Sequence, residues 1–538
     1  MDSASSTTRE EGGAAVRRRN TGTAGLDDLD YEDHPNRPPF ILTRPELKLL
    51  SIAGVGFFLD AYDLFIINPV TTLLQYRLYG GHSMPTNLSG PLKAATNMGA
   101  VVGQIMFGYL GDSLGRKAVY GKELIIIIFA TILCISTPTG DLSPKNSIIY
   151  LTCFRALLGI GIGGDYPMSA SVSSDRTNLR KRGTMLSYVF ANQGWGSLVG
   201  AIVFIIVLQC YHGVMNNKGE VSKVDGVWRI LVGLSLVPAA GTLYQRLTMP
   251  ESTKYIESQK IWNEESAFLK KNGITVTEKP AQTPTTEGRG PVPLVTRDEL
   301  QAAATKKEQW RDFVMYFSEW RHFKVLFATC MCWFLLDIAF YGINLNTNQV
   351  LTEIGYDGKT GNTAWEKLHR LAIGNLIITA LGFVPGYYVT VLTIEYIGRK
   401  KLQFFGFLLE ALFLGILAGK FYTLSHAAFI VNFSLLQFFF NFGANTTTFL
   451  YPAEVFPTRF RAFAHGLSAA SGKAGAIISS LLFNSLSNHI GPNHVLWIFF
   501  GVSVAGAFVT LLLPEVQGRD PDLVYAQELA DARAGRSS

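Results

Sequence analysis

The chain has 538 residues, of which 48% are hydrophobic and only 16% charged, against about 25% charge in an ordinary soluble chain. Mean hydropathy is +0.21, and the apolar residues come in long repeated blocks. That excludes a soluble multidomain enzyme, a disordered scaffold and a secreted disulfide framework, the last also because there are only five cysteines.

Residues 1–45 are polar, with Arg17-Arg18-Arg19 and an acidic stretch from Asp27 to Asp33. They are expected to form a disordered tail. No apolar segment follows the first charges, so no cleavable signal is expected. A membrane helix needs about 20 mostly apolar residues. Six such spans are predicted near 48–76, 92–111, 119–137, 148–170, 185–208 and 228–248. The polar stretch 249–322 then reads as a loop with short helices, among them the run Asp298–Glu308. Six more spans are predicted near 323–350, 368–394, 401–420, 426–450, 463–487 and 493–514. The units expected are therefore a tail to 45, a bundle over 46–248, a central loop over 249–322, a bundle over 323–516 and a tail over 517–538.

Lys and Arg in short loops set membrane orientation. Arg116 and Lys117 lie between spans 2 and 3, and Arg176, Arg180, Lys181 and Arg182 between spans 4 and 5. Arg399, Lys400 and Lys401 lie between spans 8 and 9, and Arg459 and Arg461 between spans 10 and 11. The alternate loops are sparser. The basic loops, the central loop and both termini are therefore expected in the cytoplasm. With no basic stripe carrying interleaved aromatics, no nucleic acid partner is expected.

The halves repeat. Phe57-Phe58-Leu59-Asp60 answers Phe334-Leu335-Leu336-Asp337, and Asp112-x-x-Gly115-Arg116-Lys117 answers Glu395-x-x-Gly398-Arg399-Lys400. Asp175 with Arg182 answers Glu454 with Arg461, and Pro250-Glu251 answers Pro514-Glu515. Four matches in order predict a duplicated six-helix unit: an all-α membrane protein of twelve helices in two pseudo-symmetric bundles, with a site where they meet.

Gly108-x-x-x-Asp112-x-x-Gly115-Arg116-Lys117 resembles the loop 2–3 motif of the major facilitator superfamily. Tyr451-Pro452-Ala453-Glu454-Val455-Phe456-Pro457-Thr458-Arg459 is similar to the loop 10–11 motif of its sugar-porter-like branch. More specific is Gly163-Gly164-Asp165-Tyr166-Pro167-Met168-Ser169-Ala170, which resembles the signature of the fungal and plant phosphate:proton symporters. Asn441–Phe449 and Ser471-Gly472-Lys473-Ala474-Gly475 are similar to the same family. The resemblance covers about residues 46–516. It departs at Val391, which stands where Gly108 stands in the first half. It implies proton-coupled import of inorganic phosphate across the plasma membrane; since no His or Cys stands at metal-ligand spacing, no cofactor or metal is expected.

Ionisable groups inside spans default to function. Asp60, Asp63, Arg155, Asp165, Asp337, Glu410 and Lys473 are the candidates. Trp333, Asp337 and Tyr341 line one face of span 7 over about 12 Å. Spacing alone equally fits an aromatic packing stripe around one buried Asp. The resemblance implies that these three bind phosphate, with Tyr166 from the span 4 signature, Gln193 in span 5 and Asn445 in span 10. Asn441, one turn before Asn445, is the alternative on that helix. Asp60 and Asp63 share a face of span 1, and close carboxylates in low dielectric suit reversible protonation. With Asp165, at the Pro167 kink, they are the expected proton carriers. Arg155 and Lys473 are the expected countercharges. Glu410 sits in span 9 with no motif around it, so a structural role fits it as well as a transport role. A sugar or organic-solute symporter, or a receptor that binds without transport, fits the shared loop motifs too. No nucleophile–base pair or metal set marks an enzyme.

Overall fold

The computed structural model describes residues 37–260, 306–347, 351, 361 and 363–533. Most of the tail expected over 1–45, most of the central loop and the start of the Asp298–Glu308 run lie outside the described residues.

Among these residues the chain forms helices and no strand. Eleven are long and apolar enough to cross a membrane: Arg44–Tyr79, Arg116–Ile135, Pro144–Arg176, Leu179–Cys210, Val221–Leu247, Trp320–Asn344, Ala364–Ile397, Arg399–Lys420, His426–Val455, Arg461–Ile490 and Pro492–Thr510. The remaining long helix is Thr86–Leu114, 29 residues, which buries Lys93, Thr96, Asn97, Gln104 and Asp112. Those polar residues lower its hydropathy because it runs through the protein interior. It is span 2, and in chain order the twelve helices are spans 1 to 12.

Burial runs opposite to that of a soluble protein. Val237, Phe508 and Phe129 are more than half exposed, while Asp60, Asn97, Gln104, Asp165 and Glu410 are fully buried. In lipid every backbone polar group must be satisfied within the helix, and the helices then bury their polar side chains against one another. Span 2 packs on span 4, span 1 on span 5, span 7 on span 11 and span 9 on span 12. Spans 2, 4 and 5 meet spans 8, 10 and 11 across the centre. The small residues of span 4 serve close approach: a Cβ at Gly163 would lie 2.3 Å from the Ala100 carbonyl oxygen of span 2.

Span 1 starts in a capping box. Thr43 Oγ1 accepts from the Glu46 N–H at 3.4 Å, and Glu46 accepts from the Thr43 N–H at 2.6 Å. Span 10 is broken at Asn441–Asn445, where Gly443 adopts φ 122°. Before span 7, the helix Lys306–Ser318 lays Phe313 and Phe317 against Phe456, Phe460 and Phe463 of the second half.

Candidate functional site

The residues singled out from the sequence fall into two bonded sets and several separate positions. In one set, Lys473 Nζ of span 11 donates to Asp337 Oδ2 at 3.1 Å and to Tyr341 Oη at 2.7 Å. The same ammonium lies 4.1 Å from the Tyr341 ring centroid and 5.2 Å from that of Tyr166. In the other set, Gln193 Nε2 donates to Tyr166 Oη at 2.7 Å. Gln193 Oε1 accepts from Tyr387 Oη at 3.2 Å, and Tyr387 Oη accepts from Asn445 Nδ2 at 2.9 Å. Trp333 joins the sets, its ring 6.3 Å from that of Tyr166. Tyr166, Gln193, Trp333, Asp337, Tyr341 and Asn445 thus surround one point between the halves, and all are buried. The span 10 break helps aim Asn445. Its side chain also donates to Asn441 Oδ1 at 2.8 Å, so both asparagines of that helix belong to the cluster.

The proposed proton carriers are spread apart. Asp60 is fully buried, and among the described residues neither carboxylate oxygen has a hydrogen-bond partner. Its electrostatic neighbours are Asp165, Arg246, Asp63 and Lys473. Asp165 faces away from the cluster into an ion-paired hub. Arg246 Nη1 of span 6 reaches Asp165 Oδ1 at 2.7 Å and Glu123 Oε1 of span 3 at 3.1 Å, and Ser169 Oγ also donates to Asp165 at 2.7 Å. Asp63 lies with Arg155, whose Nη2 donates to the Asp63 backbone carbonyl at 3.1 Å. Glu410 faces Ser503 of span 12 and none of the cluster residues is among its electrostatic neighbours.

Tyr387, Arg246 and Glu123 were not singled out in the sequence. Tyr387 sits in span 8 with no motif or charge to mark it. Arg246 and Glu123 lie inside apolar blocks, so the rule that flagged Asp60 applies to them. They stand within a turn or so of span ends, where charges ordinarily snorkel to water.

One end of the molecule carries a dense charged network. Asp112 accepts from the N–H groups of Ala462 and Phe463 at 3.2 and 2.8 Å. Arg116 pairs with Asp112 and Asp175 and donates to the Thr458 carbonyl at 2.8 Å. Arg461 pairs with Asp175 across the halves. In the second half, Arg399 pairs with Glu395 at 2.6 Å and Glu454 at 2.7 Å. The repeat extends to the glutamates that end each half. Glu251 accepts from the Lys117 N–H at 3.0 Å, and Glu515 accepts from the Lys400 N–H at 3.0 Å. Val391 in place of a glycine leaves the Arg399 contacts intact. Beyond span 6, Tyr255 donates to the Asp112 carbonyl at 3.1 Å. Burial pushes its phenol above the ordinary range, against the pull of the Arg116 guanidinium over its ring. At the opposite end the halves meet through Asn68 Nδ2, which donates to the Asn344 carbonyl at 2.7 Å.

Residues 49–524 match the family described as "Sugar (and other) transporter". A Schizosaccharomyces pombe protein is 44% identical, with 96% of this chain and 94% of that protein aligned. PHO84 of Saccharomyces cerevisiae, named an inorganic phosphate transporter, is 38% identical over 88% of this chain and 83% of its own. The Neurospora crassa protein named repressible high-affinity phosphate permease is 38% identical over 88% and 85%. Among solved structures, the proton:xylose symporter XylE, of the major facilitator superfamily, superposes with a TM-score of 0.65 at 18% identity, covering 90% of this chain and 98% of that one. That likeness shows the twelve-helix fold. The chain is a membrane transporter and not an enzyme, and it belongs to the sugar (and other) transporter family of the major facilitator superfamily.

Proposed function

We propose that the chain imports inorganic phosphate together with protons across the plasma membrane by alternating access, with the phosphate held near the bilayer midplane between the halves. The substrate class is supported by the relatives named phosphate transporters. The observation that carries the reading is the buried cage of one acid–base pair, Asp337 with Lys473, ringed by the neutral groups of Tyr166, Gln193, Trp333, Tyr341, Tyr387 and Asn445.

Dihydrogen phosphate carries both O–H groups and negative oxygens. Asp337 accepts from an O–H, the amides and phenols donate to the oxygens, and Lys473 offsets the added charge. Bringing an anion into a dry site calls for a compensating positive charge. A proton on Asp60, whose oxygens have no other partner among the described residues, supplies it. Asp63 beside Arg155 and Asp165 beside Arg246 extend the path for that proton. The charged loops, the central loop and both termini face the cytoplasm. Phosphate then arrives at the end of Asn68 and Asn344 and leaves past Arg116 and Arg461.

The test is uptake of labelled phosphate into proteoliposomes of the purified chain. Accumulation is expected with an inward proton gradient, and much less without one. Accumulation that ignores the gradient would remove the proton from the scheme, and no accumulation would remove phosphate.

A further inference from the structure

Lys93 lies in the first turns of span 2, at the end of the molecule away from Arg116 and Arg461. It is 8% exposed, and among the described residues its ammonium has one hydrogen bond, to Asn346 Oδ1 at 3.1 Å, from the first half to the second. Among the described residues no carboxylate pairs with it. Two other cations buried inside spans have carboxylate partners: Lys473 has Asp337, and Arg246 has Asp165 and Glu123. One turn on, sharing a helix face with Lys93, Asn97 is fully buried, and among the described residues neither amide atom has a partner. A buried ammonium without an anion and a buried amide without partners each cost free energy. Both would be satisfied by one tetrahedral oxyanion.

The place suits an anion on its way inward. Asn346 stands two residues past the end of span 7 and nine after Asp337, about 14 Å at helical rise. A cavity of about 50 Å³ is bounded by Asn344 and Thr347, on either side of Asn346, and by Phe65. Phe65 stacks on Tyr341 of the central cage at 6.1 Å.

We propose that Lys93 and Asn97 form a second, outer phosphate site, which captures the anion when spans 2 and 7 part and passes it to the central cage. Lys93 exchanges Asn346 for a phosphate oxygen as that end opens and returns to Asn346 as it closes. The contact that latches the end is thus broken by the arriving substrate.

This inference rests on phosphate being the substrate, and the experiment separates the two. In oriented proteoliposomes without a proton gradient, labelled phosphate exchange is measured with phosphate varied at either face. Lys93→Gln keeps a donor for Asn346 and removes the charge. It is expected to raise KM about tenfold, the usual weight of one charge-assisted hydrogen bond, only for phosphate presented at the Lys93 face. KM at the opposite face should stay within about twofold, and Lys93→Arg should restore most of the difference. An equal change at both faces, or none, overturns the outer site. Wild-type protein that exchanges no phosphate at all overturns the substrate assignment instead. Should Lys93→Gln not reconstitute, Asn97→Ala carries the same test, with a face-specific rise expected and a symmetric or absent one contrary.

Discussion

Asp60 and Asp337 occupy matching places in the two halves, yet their surroundings are opposite. Asp337 is bonded to Lys473, whereas the Asp60 carboxylate has no hydrogen-bond partner among the described residues. A group without partners is free to exchange a proton; one held by an ammonium serves as a fixed acceptor. Asp60→Asn is therefore expected to retain phosphate binding and lose gradient-driven accumulation. Asp337→Asn strands the Lys473 ammonium, about 3–5 kcal/mol for a broken buried pair, and is expected to lower both the melting temperature and binding. Equilibrium binding and driven uptake on both variants check this, and undiminished accumulation by Asp60→Asn would sink its role. On the proposed reading the acceptor also sets selectivity. A site made to bond a ligand O–H can reject an analogue lacking it by about 10⁴-fold. Arsenate, protonated like phosphate, is expected to inhibit labelled phosphate uptake at neutral pH, and sulfate, with no proton to offer, is not. Equal inhibition by the two would mean that Asp337 does not discriminate. Of the other cage residues, Asp337 and Lys473 were legible as charges inside apolar blocks, Tyr166 and Asn445 by their runs, Trp333 and Tyr341 by their spacing around Asp337, and Gln193 by the family resemblance alone. Tyr387 was not, since a phenol in an apolar helix reads as packing until its neighbours from spans 5 and 10 are in place.

Span 10 shows why an element cannot be read from hydropathy alone. Its residues are apolar enough for one straight helix, and the sequence predicts one over 426–450. The structure opens it at Phe442 (ψ 89°) and Gly443 (φ 122°, ψ −105°). The break gives the Asn441 carbonyl two side-chain donors, Thr446 Oγ1 at 2.8 Å and Thr390 Oγ1 at 3.2 Å, and brings Asn445 to Tyr387. Gly443 is needed for its conformation and its size, since a Cβ there would lie 2.7 Å from Gly406 Cα of span 9. Gly443→Ala is expected to cost about 1–3 kcal/mol from backbone strain alone, lowering thermal stability in detergent. It should also raise the KM for phosphate by displacing Asn445. An unchanged melting curve would show that span 10 relaxes without cost. The span count and the repeat were readable because length and apolar character suffice for a membrane helix. The break depends on which neighbours receive the freed carbonyls, and periodicity carries no record of that.

For the whole molecule, the orientation rests on the basic loops and is open to direct test. A single cysteine at exposed Glu257, in a chain whose five native cysteines are replaced, is expected to resist an impermeant thiol reagent in intact cells and react after permeabilisation. Labelling of intact cells would invert the proposed topology. The two halves touch at both ends, through Asp112, Arg116, Asp175 and Arg461 at one and through Asn68 and Lys93 at the other. The ties of Glu251 to Lys117 and of Glu515 to Lys400, by contrast, each stay within one half. Their consequence concerns synthesis. By the time Glu251 has left the ribosome, the first half owns every residue needed to close its 2–3 turn. Asp112 must still wait for Ala462 and Phe463. The first half can therefore settle as a self-contained unit while its side of the charged network stays unpaired, and the contacts between the halves can form only when translation is nearly over.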